Sequence, residues 1–178
     1  HWTPLTDDQA SLSIGDMVLD PNDGTHNTLI VAIGRKSSLA DAGGQNIGLL
    51  EITNATRSTA DGGVTVAELG LGGGKNVSAV AAGDDGSGTE VIMAGSTHYG
   101  VSVQKVGLKG LYRSDDGGDN FSSLSGGTNP LPEGPVFDVI SDPGDRARFY
   151  VGIGPWGGSV ASIWRTPDAG TTWQEIST

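Results

Sequence analysis

The sequence has no cysteine, few basic residues and no long apolar run. Its 178 residues include 10 Lys and Arg against 21 Asp and Glu, which gives a formal net charge of −11. The absence of cysteine excludes a disulfide framework and thiolate metal sites. The scattered basic residues argue against binding nucleic acid, which needs clustered Lys and Arg. The longest apolar runs, such as residues 29–33, are far shorter than the roughly 20 residues that cross a bilayer, so no membrane insertion is predicted, and no signal peptide is visible.

Aromatic side chains are also scarce, at 6% of the residues, whereas glycine occurs 30 times. The core must therefore be built mostly from Val, Ile, Leu and Ala. A composition rich in Gly, Asp, Ser and Thr indicates either loop-rich β structure or partial disorder. An internal repeat favours the first.

A short pattern occurs three times: Ser or Thr, any residue, Asp, any residue, Gly, two further residues and a large apolar residue. It covers residues 59–66, 114–121 and 166–173. The three aspartates, Asp61, Asp116 and Asp168, are separated by 55 residues (116 − 61) and 52 residues (168 − 116). Three matches at nearly constant spacing indicate a structural repeat of about 50 residues.

Each repeat contains four short stretches of strand-like sequence. In the second repeat, turns rich in Gly, Asp and Asn separate residues 77–83, 91–96, 111–114 and 121–124. Helical periodicity is absent from the sequence. Four short strands per repeat predict one antiparallel sheet, which is the blade of a β-propeller. The predicted fold class is all-β: a propeller segment of about three four-stranded antiparallel blades with one surplus N-terminal strand and an incomplete ring.

The hairpin pattern resembles the Asp box, or bacterial neuraminidase repeat, and the third copy matches it best because it includes Thr172 and Trp173. This box is found in sialidases, sortilin-like receptors and xyloglucanases. Residues 2–8 and 19–23 most closely resemble the xyloglucanase-like group. The resemblance implies a β-propeller with an extracellular or cell-surface location. It implies no single activity, because the box recurs in enzymes, receptors and proteins without known activity.

The residue types of the box suit a tight turn between the third and fourth strands. The Asp carboxylate can accept backbone N–H groups, and the Ser or Thr hydroxyl can add a further bond. Glycine can take the positive φ that other residues adopt at a cost. We therefore interpret the box as structural and not catalytic, and the resemblance implies that it lies away from the active face. The predicted structural residues are Thr59, Asp61, Gly63, Ser114, Asp116, Gly118, Phe121, Thr166, Asp168, Gly170 and Trp173.

The signature of a fourth strand occurs once more than the signatures of the other three. Residues 2–5 align with residues 121–124 and 173–176, although each complete set already has its own fourth strand. The predicted organisation is residues 1–6 as the last strand of a missing preceding blade, followed by blades at residues 7–71, 72–126 and 127–178. Propellers have about 4–8 blades. We therefore expect a fragment or one subunit of a larger assembly, whose partners are the remaining blades or other copies of the chain.

The loops on the face opposite the boxes are the expected place for a ligand. The candidate residues there are Arg35, Asp41, His98, Tyr99 and Trp156. Trp156 lies between Pro155 and two glycines, and a flat, exposed indole suits the apolar face of a sugar ring, so carbohydrate is the candidate ligand. The alternatives are that Trp156 packs against the adjoining blade or covers the central core, and that the other four are solvated loop residues.

Two classes of function fit these features. The first is a non-catalytic structural or interaction segment of an extracellular propeller, and the second is part of a xyloglucanase-like or sialidase-like glycoside hydrolase whose catalytic residues lie partly outside the chain. Such hydrolases place two carboxylates across the scissile bond, and the loops offer Asp7, Asp8, Asp41 and Glu133 without showing that any two converge. A sialidase also needs an arginine cluster, and Arg35 alone lies in those loops. The first class is favoured, and no cofactor is predicted.

Three turns are rich in possible oxygen ligands, at residues 20–24, 83–88 and 142–145. Ca²⁺ prefers carboxylates and carbonyls, but none of these turns has the full calcium-binding loop of an EF-hand. Each falls where a first strand turns back into a second, so hairpin-turn chemistry explains them. The histidines show no zinc-ligand spacing. The sequence predicts no metal site.

Overall fold

The structure is a computed structural model that describes residues 4–6, 8–11, 13–34, 46–57, 63–72, 74–97, 109–129 and 131–177. The secondary structure of these ranges consists of β-strands in three four-stranded sheets. Blade 1 contains β1 (Ile14–Leu19), β2 (Leu29–Ile33), β3 (Gly48–Thr53) and β4 (Thr65–Glu68). Blade 2 contains β5 (Asn76–Asp84), β6 (Glu90–Thr97), β7 (Gly110–Ser114) and β8 (Ser122–Ser123). Blade 3 contains β9 (Val136–Asp142), β10 (Asp145–Ile153), β11 (Ser162–Thr166) and β12 (Gln174–Glu175).

Each blade is an antiparallel meander whose strands pair in chain order. Strand β10 shows how the sequence favours strands. Its buried residues alternate with half-buried ones, and the buried residues are Ala147, Phe149, Val151 and Ile153. This alternation is that of a strand with one face in a core. The prediction of three four-stranded antiparallel blades is confirmed. Within the described ranges, no helix has the length and apolar character needed to cross a membrane.

The fourth strands of blades 2 and 3 are shorter than the sequence predicts. The stretches at residues 121–124 and 173–176 reduce to Ser122–Ser123 and Gln174–Glu175. The aromatic residue before each pair is partly buried, packs against a core between blades and lies outside the strand.

The three blades share a common inner edge. Blade 2 lies between the other two, and its first strand, β5, packs against both β1 and β9. A hydrogen bond joins two of these inner strands, since the Asp16 carboxylate accepts the Val80 N–H at 3.0 Å. A cavity of about 290 Å³ lies beside them and is lined in part by Asp16, Val80 and Asp138. First strands at the centre and fourth strands outside are the arrangement of a propeller.

Apolar cores fill the spaces between blades. Burying a large aliphatic or aromatic side chain contributes roughly 1.5–3 kcal/mol, so these cores are the main source of stability. The core between blades 1 and 2 contains Ile30, Ala32, Leu49, Leu71, Val77, Val80, Ala82, Ile92, Ala94 and Tyr112. The core between blades 2 and 3 contains Ala79, Ala81, Val91, Met93, Leu111, Leu131, Val136, Val139, Phe149, Val151, Ile153 and Ala169.

We call the face of a blade that contacts the next blade in chain order its trailing face, and the opposite face its leading face. Strand registers make the trailing faces of the three blades equivalent position by position. In each blade, a residue just after the fourth strand donates its N–H to a carbonyl near the start of the third strand. These bonds run from Leu69 N to Leu49 O at 3.0 Å, from Leu124 N to Leu111 O at 2.8 Å and from Ile176 N to Ile163 O at 2.8 Å.

Candidate functional site

The hairpin between β7 and β8 is held by a network centred on Ser114 and Asp116. The Ser114 hydroxyl donates to Asp116 Oδ1 at 2.8 Å and accepts the Gly118 N–H at 3.0 Å. The same carboxylate accepts the Asn120 backbone N–H at 2.9 Å and its side-chain amide at 2.8 Å. The turn needs glycine because Gly117 and Gly118 have φ of 72° and 89°.

The hairpin between β11 and β12 has the same bonds. Thr166 Oγ1 donates to Asp168 Oδ1 at 2.8 Å and accepts the Gly170 N–H at 2.9 Å. Thr172 donates to the carboxylate through its backbone N–H at 2.7 Å and its hydroxyl at 2.6 Å. One position differs, since Ala169 stands where blade 2 has a glycine and has a φ of 53°. The Ser or Thr hydroxyl and the carboxylate therefore fix the turn in both blades.

These bonds favour the ionised aspartates. Donation from the Asn120 backbone and side chain, and from Ser114, lowers the pKa of Asp116 to about 2. Burial alone would raise the pKa of Asp168, but hydrogen bonds from Thr172 and Thr166 outweigh it and the net shift is downward. A general acid at neutral pH needs a raised pKa. Neither aspartate therefore suits that role.

Both hairpins also fasten their blade to the preceding one. The Gly118 carbonyl accepts the N–H of Gly70, which belongs to blade 1, at 2.7 Å. In the same way, Arg113 Nε of blade 2 donates to the Ala169 carbonyl of blade 3 at 2.7 Å. A methyl group at Gly118 would lie 2.9 Å from Leu69 Cδ1, so the close approach of the two blades also requires glycine there.

In the sequence, the first box lies further from the end of its third strand than the other two boxes do. Thr59 and Asp61 lie outside the described residues. Ser114 and Thr166 are the last residues of their third strands, whereas Thr59 comes six residues after Thr53, the last residue of β3 (59 − 53). The connection between the third and fourth strands is therefore longer in blade 1 than in the other blades.

Trp156 lies in the connection between β10 and β11, at the opposite end of β11 from the hairpin of Asp168. The residue is 39% exposed. Lys109 Nζ lies 3.8 Å from the centroid of its ring, and this buried ammonium is held by Glu133 Oε1 at 2.9 Å. The Ser159 hydroxyl accepts the backbone N–H of Trp156 at 3.0 Å and donates to the backbone carbonyl of Trp156 at 2.7 Å. A cation–π contact and a closed turn thus hold the indole in place.

Trp156 contacts the adjoining blade and is also partly exposed. The contact is with Lys109, which immediately precedes β7 of blade 2, and part of the surface of Trp156 stays exposed. The sequence did not indicate Lys109. The other four candidates, Arg35, Asp41, His98 and Tyr99, lie outside the described residues.

The oxygen-rich turns use their carboxylates on their own backbone, as Asx turns do. The bonds run from Asn22 N to Asp20 Oδ1 at 2.7 Å, from Gly86 N to Asp84 Oδ1 at 2.8 Å and from Gly144 N to Asp142 Oδ1 at 2.8 Å. In the part of the chain that the structure describes, no group of His, Asp and Glu is placed to hold a metal ion. The absence of a metal site stays a prediction.

Three carboxylates approach one another on the hairpin side of blades 1 and 2. Burial and the nearby Asp20 and Glu51 raise the pKa of Glu90 to about 7. Burial and Asp20 also raise the pKa of Glu51. No sequence motif indicates this cluster, because its members come from three separate parts of the chain. It lies at the opposite end of the blades from Trp156.

Comparison with known proteins identifies the fold of the chain. No model of a protein family matches the chain, and no curated protein does. Among solved structures, a GH74 xyloglucanase from Xanthomonas campestris is similar with a TM-score of 0.61 and 16% identity over 93% of this chain and 22% of that one. YCF48 bound to D1 peptide has a TM-score of 0.53 and 15% identity over 94% of this chain and 40% of that one. An ancestral GH74 enzyme has a TM-score of 0.53 and 23% identity over 90% of this chain and 18% of that one.

These similar proteins are β-propellers, so the chain has the fold of a partial propeller. It spans about a fifth of the length of the two GH74 enzymes and two fifths of YCF48. Identities below a quarter carry the fold alone, and function depends on the residues of the chain itself.

Proposed function

We propose that the chain is a non-catalytic interaction segment of an extracellular β-propeller and that it binds carbohydrate on the loop face through Trp156. The observation that carries the proposal is a partly exposed indole fixed at the junction of two blades. The conspicuous hairpin aspartates are engaged in turns and have lowered pKa values, which suits structure and not acid–base chemistry.

The surroundings of Trp156 favour a preformed binding surface. Lys109 Nζ lies over the ring and is paired with Glu133, so one contact of the indole is fixed before any ligand arrives. An aromatic side chain that is already ordered loses little conformational entropy on binding. The exposed part of the ring can then stack on the apolar face of a sugar.

The experiment is titration of the chain with xyloglucan oligosaccharides, other β-glucan oligosaccharides and sialosides by isothermal calorimetry. We expect Trp156→Ala to weaken binding about tenfold or more, and Trp156→Phe to retain most of it because a ring remains to stack. Val160→Ala is the matched control, since Val160 is an exposed apolar residue of the same connection. Equal binding by wild type and Trp156→Ala, or no binding of any oligosaccharide, would contradict the proposal.

The second candidate is a segment of a glycoside hydrolase, which the similarity to two GH74 enzymes favours. Release of reducing sugar from xyloglucan separates the two functions. The carboxylates to replace are Asp8 and Glu133 in the described loops and Asp41 outside them, with Asp116→Asn as a control in the hairpin. Hydrolysis that is lost with a loop carboxylate and retained in Asp116→Asn would replace our proposal.

The extracellular or cell-surface location is part of the proposal and is supported by the resemblance of the three repeated sequence patterns to the Asp box. Immunoblotting of culture medium, surface and cell lysate from the source organism tests it. Protein confined to the lysate would contradict this location without bearing on carbohydrate binding.

A further inference from the structure

Glu133 lies near the indole of Trp156 and is open to solvent. One buried ammonium, Lys109 Nζ, contacts both groups, at 2.9 Å from Glu133 Oε1 and 3.8 Å from the centroid of the indole. The Lys109 side chain is 2% exposed, whereas the Glu133 side chain is 41% exposed. A ligand that approaches the indole from solvent therefore meets the carboxylate before the ammonium.

The backbone next to Glu133 is packed against the connection that carries Trp156. The Pro135 carbonyl accepts the Gly154 N–H at 2.7 Å. A Cβ at Gly134 would lie 2.8 Å from the Gly154 carbonyl oxygen and 3.8 Å from Trp156 Cβ, so the two connections are in close contact there. Glu133 directly precedes this contact, and its backbone is therefore held beside the indole.

The buried ammonium of Lys109 fixes the carboxylate and the indole relative to each other. Removing a charge from water is costly, so the buried ammonium requires the carboxylate of Glu133 as its partner. The same bond orders the Glu133 side chain, which then loses less conformational entropy when a ligand binds. Lys109 is thus a positioning residue that prepares two neighbouring groups for one ligand.

The two groups recognise different parts of a ligand. An indole face attracts the apolar surface of a sugar and also attracts cations, as the contact with Lys109 shows. A carboxylate accepts hydrogen bonds, and a bond from a charged donor is roughly twice as strong as one from a neutral donor. The formal net charge of −11 attracts cations and repels anions. A sugar that carries a protonated amine satisfies all three conditions.

We propose that the site of Trp156 and Glu133 binds amino sugars, with the sugar ring stacked on the indole and its protonated amine bound to the Glu133 carboxylate. This inference rests on the proposed binding of carbohydrate through Trp156 and names the class of ligand. Lys109 holds the site in place and does not contact the ligand. Neutral sugars of the same shape bind more weakly because they lack the charged donor, and acidic sugars are the weakest ligands.

Matched oligosaccharides of glucosamine, N-acetylglucosamine and glucose test the inference. They share a β-linked backbone and carry an amine, an amide or a hydroxyl at the same carbon, so they differ mainly in charge. Isothermal calorimetry at about pH 6 keeps the amine protonated. We expect the glucosamine oligosaccharide to bind about five- to tenfold more tightly than the other two, because a charge-assisted bond replaces a neutral one.

Substitution of Glu133 shows whether its carboxylate causes this preference. Glu133→Gln should reduce the preference to about twofold or less while the glucose oligosaccharide still binds. Because this variant leaves the Lys109 ammonium buried without a carboxylate, the double variant Lys109→Met with Glu133→Gln removes both charges, and we expect the same loss of preference. Glu68→Gln is the matched control, since Glu68 is exposed in β4 of blade 1 and the net charge changes equally.

The outcomes separate this inference from the proposed function. If none of the three oligosaccharides binds, binding of carbohydrate through Trp156 is contradicted and the inference with it. Equal binding of all three would overturn the amino-sugar inference and leave carbohydrate binding in place. A preference that both Glu133 variants retain, or that Glu68→Gln lowers as much, would overturn the role of Glu133. A loss of preference confined to the Glu133 variants supports it.

Discussion

Replacement of Thr166 by valine tests whether the hairpin network stabilises the fold. Thr166 is fully buried at the end of β11 and has almost the shape of valine, so the substitution removes a hydroxyl without opening a cavity. It removes the acceptor of the Gly170 N–H at 2.9 Å and the donor to Asp168 Oδ1 at 2.8 Å. Gly170 is itself buried, so its N–H is left without a partner.

The size of the effect follows from these two losses. A buried N–H left unpaired costs about 1–3 kcal/mol, and a lost bond to a charged group about 1.5–3 kcal/mol. Because Thr172 still donates to Asp168, the second loss is partial, and we expect Thr166→Val to lower the free energy of unfolding by about 2–4 kcal/mol. With a urea m-value of about 2 kcal/mol/M, the midpoint falls by about 1–2 M.

Urea titration followed by tryptophan fluorescence measures this change, and Trp173 next to the hairpin is a suitable reporter. Thr171→Val is the matched control, because Thr171 is exposed in the same hairpin. The expectation for the control is a change within about 0.5 kcal/mol. If the two variants unfold at the same urea concentration, the hydroxyl network does not stabilise the hairpin and the structural interpretation of the box is refuted.

Two further substitutions probe other parts of the fold. The pKa of Glu90 is raised from 4.5 to about 7 by burial and by Asp20, so between these values the folded state binds more protons and the free energy of unfolding falls as pH rises. We expect Glu90→Gln to remove this decline in urea titrations at pH 5 and pH 8, and an unchanged pH dependence would contradict the shift. Gly118→Ala should cost about 1–3 kcal/mol because φ is +89° and the new methyl group meets Leu69. Gly24→Ala, with open space around it, should be nearly neutral in the same assay.

Local pattern was enough to predict the blades, because turn residues and strand residues recur at a fixed period. The positions of Asp116 and Asp168 in hairpins follow from short-range chemistry between residues two to four apart. The first hairpin shows the limit of this reasoning. The pattern that contains Thr59 predicts a turn, but it does not predict where the preceding strand β3 ends, which the structure places at Thr53.

Contacts between distant residues could not be predicted. Lys109 contacts Glu133 and Trp156, which lie 24 and 47 residues further along the chain (133 − 109 and 156 − 109), and no spacing rule joins them. Exposure also depends on neighbours that sequence pattern does not reveal. Leu111 and Ile163 occupy equivalent positions in equivalent strands, yet Leu111 is fully buried whereas Ile163 is 50% exposed.

The hairpin joint between blades has a consequence for how such arrays change in evolution. The Gly118 carbonyl and the Ala169 carbonyl each bind the blade immediately before them, so blades 2 and 3 each carry an attachment to the preceding blade in their own hairpin. Stability in such an array is close to a sum of unit and nearest-neighbour contributions. A duplication that copies one blade with its hairpin therefore copies its coupling as well, and the new unit can join the array without compensating substitutions elsewhere.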